Sequence, residues 1–193
     1  YPAPGLLIEG EWVGRPGRHR GEVRNPATGD LLGELPLATV QDIDAGVTAA
    51  QGAFPAWSRR TPLNRSHILR RVADLVRANL PRLSAILTME QGKTLLESTG
   101  ELHATADTFD WMAEEGKRVY GRIVPARVAG LEQMVVYEPI GVVAALSPWN
   151  YPAALGARKV ATAFAAGCTV VLKPAEETPG IWVALARLCM EAG

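Results

Sequence analysis

The hexapeptide SPWNYP, residues 147–152, follows the apolar run GVVAAL and sets a tryptophan and an asparagine between two prolines. Asn150 has two uses there: it caps the helix that follows, or it presents a side-chain N–H donor held rigid for chemistry. A second polar cluster, KPAEETP, closes the next apolar run, CTVVL. Lys173 stands at its start and Glu176 three residues on, ahead of a Thr178-Pro179 helix start. One reading is turn polarity, with Glu176 and Glu177 offsetting a helix dipole by about 0.3–1 kcal/mol each. The other is a lysine and a carboxylate that hold the two vicinal hydroxyls of a ribose, the carboxylate accepting both O–H groups and repelling any 2′-phosphate.

The segments that carry these clusters read as strand, helix, strand, helix. GVVAAL is continuously apolar, as a parallel strand buried on both faces should be. A small-residue helix from about Ala153 to Ala166 leads to CTVVL, and a last helix runs from Pro179 to Ala192. Such a βαβα unit connects right-handedly into a parallel sheet covered by helices. Ligands bind beyond the carboxyl ends of such strands, which sends SPWNYP and KPAEETP toward one crevice. No G-x-G-x-x-G is present, so a nucleotide site has to rest on other groups.

Upstream, residues 6–24 read as a loop-rich ribbon of short extended pieces, LLIEGEWV and GEVRN, around GRPGRHRG. Arg15, Arg18, His19 and Arg20 cluster there, read as solvated loop charge rather than a phosphate patch. NPATGD is a turn. From Thr39 the period is helical. Thr61 and Pro62 supply an N-cap and N1 pair, and Ile68, Leu69, Val72, Leu75 and Val76 share one face of the helix they open. Pro81 restarts a helix to about Glu90, QGK breaks it, and a long helix from Leu95 to about Tyr120 carries Phe109, Trp111, Met112 and Val119, its aromatics read as core. The chain then turns extended through RIVPARV and EQMVVYEP, the latter not cleanly amphipathic.

The 193 residues suit one domain or a piece of a larger one. Lys plus Arg, 20, equals Asp plus Glu, 20, so no global field favours nucleic acid or an anionic membrane, and a small partner is expected. The longest mostly apolar run, residues 160–172, is shorter than the ~20 residues of a membrane span. Two cysteines, Cys168 and Cys189, form neither a disulfide framework nor a metal-ligand pattern, which fits a reducing compartment, the cytoplasm.

SPWNYP, AFAAGCTVVLKPAEETP, PIGVVAALSPWN and EQGKTLLES together resemble the N-terminal half of the NAD(P)-dependent aldehyde dehydrogenase superfamily, and the likeness runs over essentially the whole chain. It implies an α/β fold with a Rossmann-like parallel sheet and flanking helices. Residues 1–125 would form the ribbon and the helical part of the cofactor-binding domain, 126–139 bridging strands for oligomerisation, and 140–193 the start of the NAD-binding sheet. The resemblance makes Asn150 a donor to the aldehyde oxygen, half of an oxyanion hole. Pro148 and Trp149 would line the nicotinamide end, and Lys173, Ala175 and Glu176 of KPAE would bind the cofactor's adenine-ribose side, favouring NAD with NADP possible.

WMAEEGKRVYGRIVP and ARKVATAFAAGC are similar to semialdehyde dehydrogenases acting on succinate semialdehyde or related ω-oxo acids. That narrower likeness assigns Arg158 to the substrate's distal carboxylate, against the plainer reading of a surface arginine on an alanine-rich helix. The family's nucleophilic thiolate and general-base glutamate belong to a part of the fold this chain lacks, and Cys168 reads as a small buried hydrophobe. The expectation is a piece of an oligomeric NAD(P)-dependent enzyme, inactive alone. The alternative is a non-catalytic nucleotide-binding or interaction remnant.

Overall fold

The computed structural model describes residues 1–2, 5–14 and 19–193; Arg15 and Arg18 of the basic cluster lie outside the described residues. The ribbon forms two antiparallel hairpins. β1 (Leu6–Ile8) pairs with β2 (Glu11–Val13) around Glu9 and Gly10, both at positive φ, 54° and 79°, as a tight two-residue turn requires. β3 (Arg20–Arg24) pairs with β4 (Leu31–Pro36), a strand that sequence reading passes over between the NPATGD turn and Thr39.

Four helices follow. α1 (Val40–Ser58) opens with a capping box in which Thr39 and Asp42 satisfy each other's backbone N–H groups. α2 (Pro62–Ala78) opens on Thr61, whose hydroxyl accepts from Asn64 N, with Pro62 in the first turn as expected. α3 (Leu80–Gln91) closes on Gly92, a left-handed residue at φ 86°, and α4 (Leu95–Glu115) starts on a second capping box, Thr94 with Glu97. α4 stops earlier than its sequence pattern predicts. A 3-10 turn at Gly116–Arg118 ends it, so Val119 and Tyr120 are exposed rather than part of a buried helix face.

After a short antiparallel pair, β5 (Arg122–Val124) with β6 (Gln133–Val135), come β7 (Val142–Leu146), α5 (Pro152–Ala165), β8 (Thr169–Lys173) and α6 (Gly180–Ala192). β7 and β8 are parallel and in register from Val142 opposite Thr169 to Leu146 opposite Lys173. Both candidate turns therefore leave the same edge. The expected parallel βαβα unit is present; among the described residues its sheet has these two strands.

The core lies among α2, α3, α4, α5 and α6, around Leu69, Val76, Leu87, Phe109, Ile181 and Leu185. Each such side chain contributes about 1.5–3 kcal/mol by leaving water. α5 and α6 meet where Gly156 faces Trp182: a Cβ on Gly156 would stand 2.3 Å from the indole, so only glycine allows this approach. The indole Nε1 in turn donates to the Pro152 carbonyl at 2.7 Å, tying the first turn of α5 to α6. α1 covers the strand pair from outside, with Thr169 Oγ1 donating to Ala50 O at 2.8 Å and Trp57 packing edge-on against Phe164. Among the described residues no helix is long and apolar enough to cross a membrane.

Candidate functional site

SPWNYP is pinned at both ends. Ser147 N donates to Lys173 O at 3.0 Å, extending the strand pairing into the turn, and Ser147 Oγ donates to the Pro152 carbonyl at 3.0 Å. Between these anchors Pro148, Trp149, Asn150 and Tyr151 are exposed. The side chain of Asn150 caps nothing: Tyr151 is the N-cap of α5 and makes no side-chain cap bond. Among the described residues the amide of Asn150 has no partner, and the bonds at this residue go to its backbone carbonyl. The pinned turn thus leaves this amide without a partner among the described residues, and the capping use is not the one Asn150 serves.

The cap that Tyr151 does not supply comes from α4. Glu101 Oε1 accepts from Ala153 N at 2.9 Å and Ala154 N at 3.1 Å, placing a carboxylate at the positive end of α5. Its Oε2 accepts from Lys93 Nζ at 2.5 Å, in an ion pair whose side chains are 10% exposed for Lys93 and 0% for Glu101. Lys93 Nζ also donates to the Asn150 carbonyl at 3.0 Å and lies 4.1 Å from the centre of the Tyr151 ring. Gln91 Nε2 is 3.5 Å from the same carbonyl.

KPAEETP lies beside SPWNYP. Lys173 and Glu176 form an ion pair at 2.5 Å with side chains 62% and 67% exposed. The lysine's hydrogen bond holds the Glu176 carboxyl below the usual carboxylate range. Both heads are open to a hydroxyl-bearing ligand, while Ala175 is buried beneath them. Glu176 and Glu177 are not what caps α6. Its N-cap is Pro179, and the cap is Glu90, from the last turn of α3, which accepts from Gly180 N at 2.8 Å, Ile181 N at 2.9 Å and Tyr1 Oη at 2.6 Å. Burial pushes the Glu90 carboxyl up to about 7.

Arg158 is exposed on α5 and forms no ion pair among the described residues. It lines an open depression of about 520 Å³ with Ala104, Asp107, Thr108, Trp111 and Met112 of α4. Trp111 is 65% exposed there, which corrects the expectation of a core residue. Phe109 takes the buried position, and two residues further on a 3.6-residue helix has turned roughly 200°, to the far face.

Neither cysteine belongs to this edge. Cys168 is buried just before β8, at the opposite end of a five-residue strand, about 16 Å away at ~3.3 Å per residue. Cys189 sits late in α6, and burial pushes its thiol up to about 12.

Sequence reading does not find Glu90, Lys93 or Glu101 as site residues. Both glutamates nevertheless fall in register with apolar stripes, Glu90 after Leu83, Ile86 and Leu87, and Glu101 beside Leu102, Thr105 and Phe109. A carboxylate in a buried stripe must meet donors, and the starts of α5 and α6, which open at a proline without a capping side chain, supply N–H groups that lack an acceptor; α3 opens the same way, so the pattern does not by itself single out these two.

The model of the aldehyde dehydrogenase family matches residues 12–193. The chain is 49% identical over 181 residues to 4-(hydroxymethyl)benzenesulfonate dehydrogenase TsaD1 of Comamonas testosteroni, covering 93% of this chain and 38% of that protein. It is 44% identical over 187 residues to the NADP(+) succinate-semialdehyde dehydrogenase GabD of Escherichia coli (strain K12), covering 97% and 39%. Among solved structures, succinate-semialdehyde dehydrogenase from Burkholderia pseudomallei superimposes with a TM-score of 0.96 at 47% identity, over 98% of this chain and 39% of that one. The chain thus spans less than two fifths of the length of both curated relatives. The agreement in sequence and backbone makes this chain a member of the aldehyde dehydrogenase family, with its α/β fold.

Proposed function

We propose that this chain is the N-terminal part of an oligomeric cytoplasmic enzyme that oxidises an aldehyde to a carboxylic acid with NAD(P), and that the aldehyde is a semialdehyde such as succinate semialdehyde. The observation that carries the reading is the free amide of Asn150 on a turn pinned at the carboxyl edge of β7 and β8, beside the exposed Lys173–Glu176 pair. An aldehyde attacked by a nucleophile develops negative charge on its oxygen, and a pre-positioned N–H donor stabilises that charge without reorganising. Asn150 has the donor and the rigidity for this role.

Lys173 and Glu176 fit a ribose, with a cation and a carboxylate side by side in solvent, and Pro148 and Trp149 fit the nicotinamide end. The bound dinucleotide supplies the hydride acceptor. Glu176 disfavours a 2′-phosphate, which leans the reading to NAD; GabD, named for NADP, keeps NADP within it. The nucleophilic thiolate and general base come from residues outside this chain, since Cys168 and Cys189 sit away from the edge. The hairpin of β5 and β6, with Ile123, Met134, Val136 and Tyr137 exposed, is the surface for association of subunits.

Arg158 sets the substrate class. An unpaired guanidinium beside an exposed tryptophan suits an anionic tail that offers two oxygens to its N–H groups, on an apolar stem. The names of the relatives carry such tails, a carboxylate in one and a sulfonate in another. In the enzyme that contains this chain, Arg158→Ala should raise KM for succinate semialdehyde at least 10-fold and leave the kinetics of butanal unchanged. Equal effects on the two aldehydes would refute Arg158 as the tail's partner.

A further inference from the structure

The Lys93–Glu101 pair does more than close a helix end. Two peptide N–H groups at the start of α5 need one acceptor, and Glu101 Oε1 provides it. A neutral glutamine oxygen would serve as well, without the cost of burying a charge. Instead a full carboxylate is buried and a lysine is brought in to neutralise it, a combination that adds little stability over neutral groups of the same shape. The pair's value lies in where the lysine's other bonds go.

Lys93 Nζ does not reach the helix. It donates to the carbonyl of Asn150, two residues ahead of α5, and rests on the ring of Tyr151 between them. The carbonyl and the side chain of Asn150 leave the same Cα. Fixing the carbonyl on one side, with Pro152 held by Ser147 and Trp182 on the other, fixes the Cα–Cβ direction from which the unpaired amide projects. The tetrapeptide EQGK is shaped for this reach. Gln91 Oε1 accepts from Lys93 N at 2.9 Å, and Gly92 turns the chain at φ 86° with its α-carbon so close to Pro26 that an added Cβ would stand 2.8 Å from Cγ.

We propose that Lys93 and Glu101 are positioning residues for Asn150: a buried ion pair whose cation anchors the asparagine's backbone so that its amide is aimed at the developing oxyanion. This rests on the reading of Asn150 given above. The two residues touch neither substrate nor cofactor in this role, and act through Asn150 alone.

The test is a cycle in the enzyme that contains this chain, assayed with succinate semialdehyde and NAD(P). Lys93→Met/Glu101→Gln removes both charges together and keeps the acceptor for α5, so its urea midpoint should stay close to that of the parent. Its kcat should fall about 10-fold to 100-fold, as misplacement of a catalytic group by about 1 Å does, with KM for the dinucleotide unchanged. In an Asn150→Ala background the same double substitution should cost no further kcat. A role confined to stability would instead let kcat recover with the midpoint. A parental kcat in the double variant, or a loss that multiplies in full with that of Asn150→Ala, overturns the inference and leaves Asn150 itself untouched. If Asn150→Ala keeps parental kcat, the oxyanion reading falls and takes the inference with it.

Discussion

α5 and α6 leave the same edge of the β7–β8 pair, each receives its cap from a buried glutamate of another helix, and the two glutamates are compensated differently. Glu101 at α5 meets Lys93, and the lysine goes on to bind Asn150. Glu90 at α6 meets the Tyr1 hydroxyl and has no cation partner among the described residues, and burial raises its carboxyl to about 7. The difference follows what each turn presents. The α5 turn holds one amide that has to point in one direction, and its cap is locked by charge. The α6 turn presents Lys173 and Glu176, a solvated pair worth about 0–1 kcal/mol to the fold, whose long side chains can adjust to a ligand.

The contrast is broken most forcibly by removing the lysine alone. Lys93→Met leaves the Glu101 carboxylate buried without its cation, and should cost roughly 3–5 kcal/mol in urea denaturation. A loss below about 1 kcal/mol would mean that Glu101 is no more dependent on charge than Glu90.

The pH dependence sharpens the same contrast from the other side. A carboxyl raised from 4.5 to about 7 keeps a proton in the folded state that the unfolded chain has already released, so its contribution is fully present below pH 4.5 and is lost as pH rises to about 7. The gap corresponds to on the order of 3 kcal/mol. The stability difference between the parent and Glu90→Gln should therefore slope through that window and be flat above it. A difference independent of pH from 4.5 to 7 would show that Glu90 is compensated after all.

Much of this molecule is legible in its sequence where cause and effect lie close together. Thr61-Pro62 marks the start of α2 because an N-cap hydroxyl and a proline act within one turn. The runs GVVAAL and CTVVL mark β7 and β8 because continuous apolar runs bounded by turn residues suit parallel strands, but the expected burial on both faces is not met: Ala144 and Leu146 of β7 are exposed on one face. Asn150, Lys173 and Glu176 stand out through their types and through position after those strands, and the structure brings their turns to one edge. Trp111 is misjudged because a hydrophobic residue beside a core phenylalanine need not share its face of the helix. The caps of α5 and α6 stay hidden because their partners, Glu101 and Glu90, are 52 and 90 residues away from the N–H groups they receive. Local pattern can show that such a helix start lacks an acceptor; only tertiary packing supplies one.

If the Asn150 amide stabilises charge on the aldehyde oxygen, the first turnover must depend on it. In the enzyme that contains this chain, rapid mixing with saturating NAD(P) and succinate semialdehyde should show Asn150→Ala slowing the first formation of reduced dinucleotide by ~10²–10³, with affinity for the dinucleotide preserved. A first turnover at the parental rate would mean that the Asn150 amide does not bear on the aldehyde oxygen.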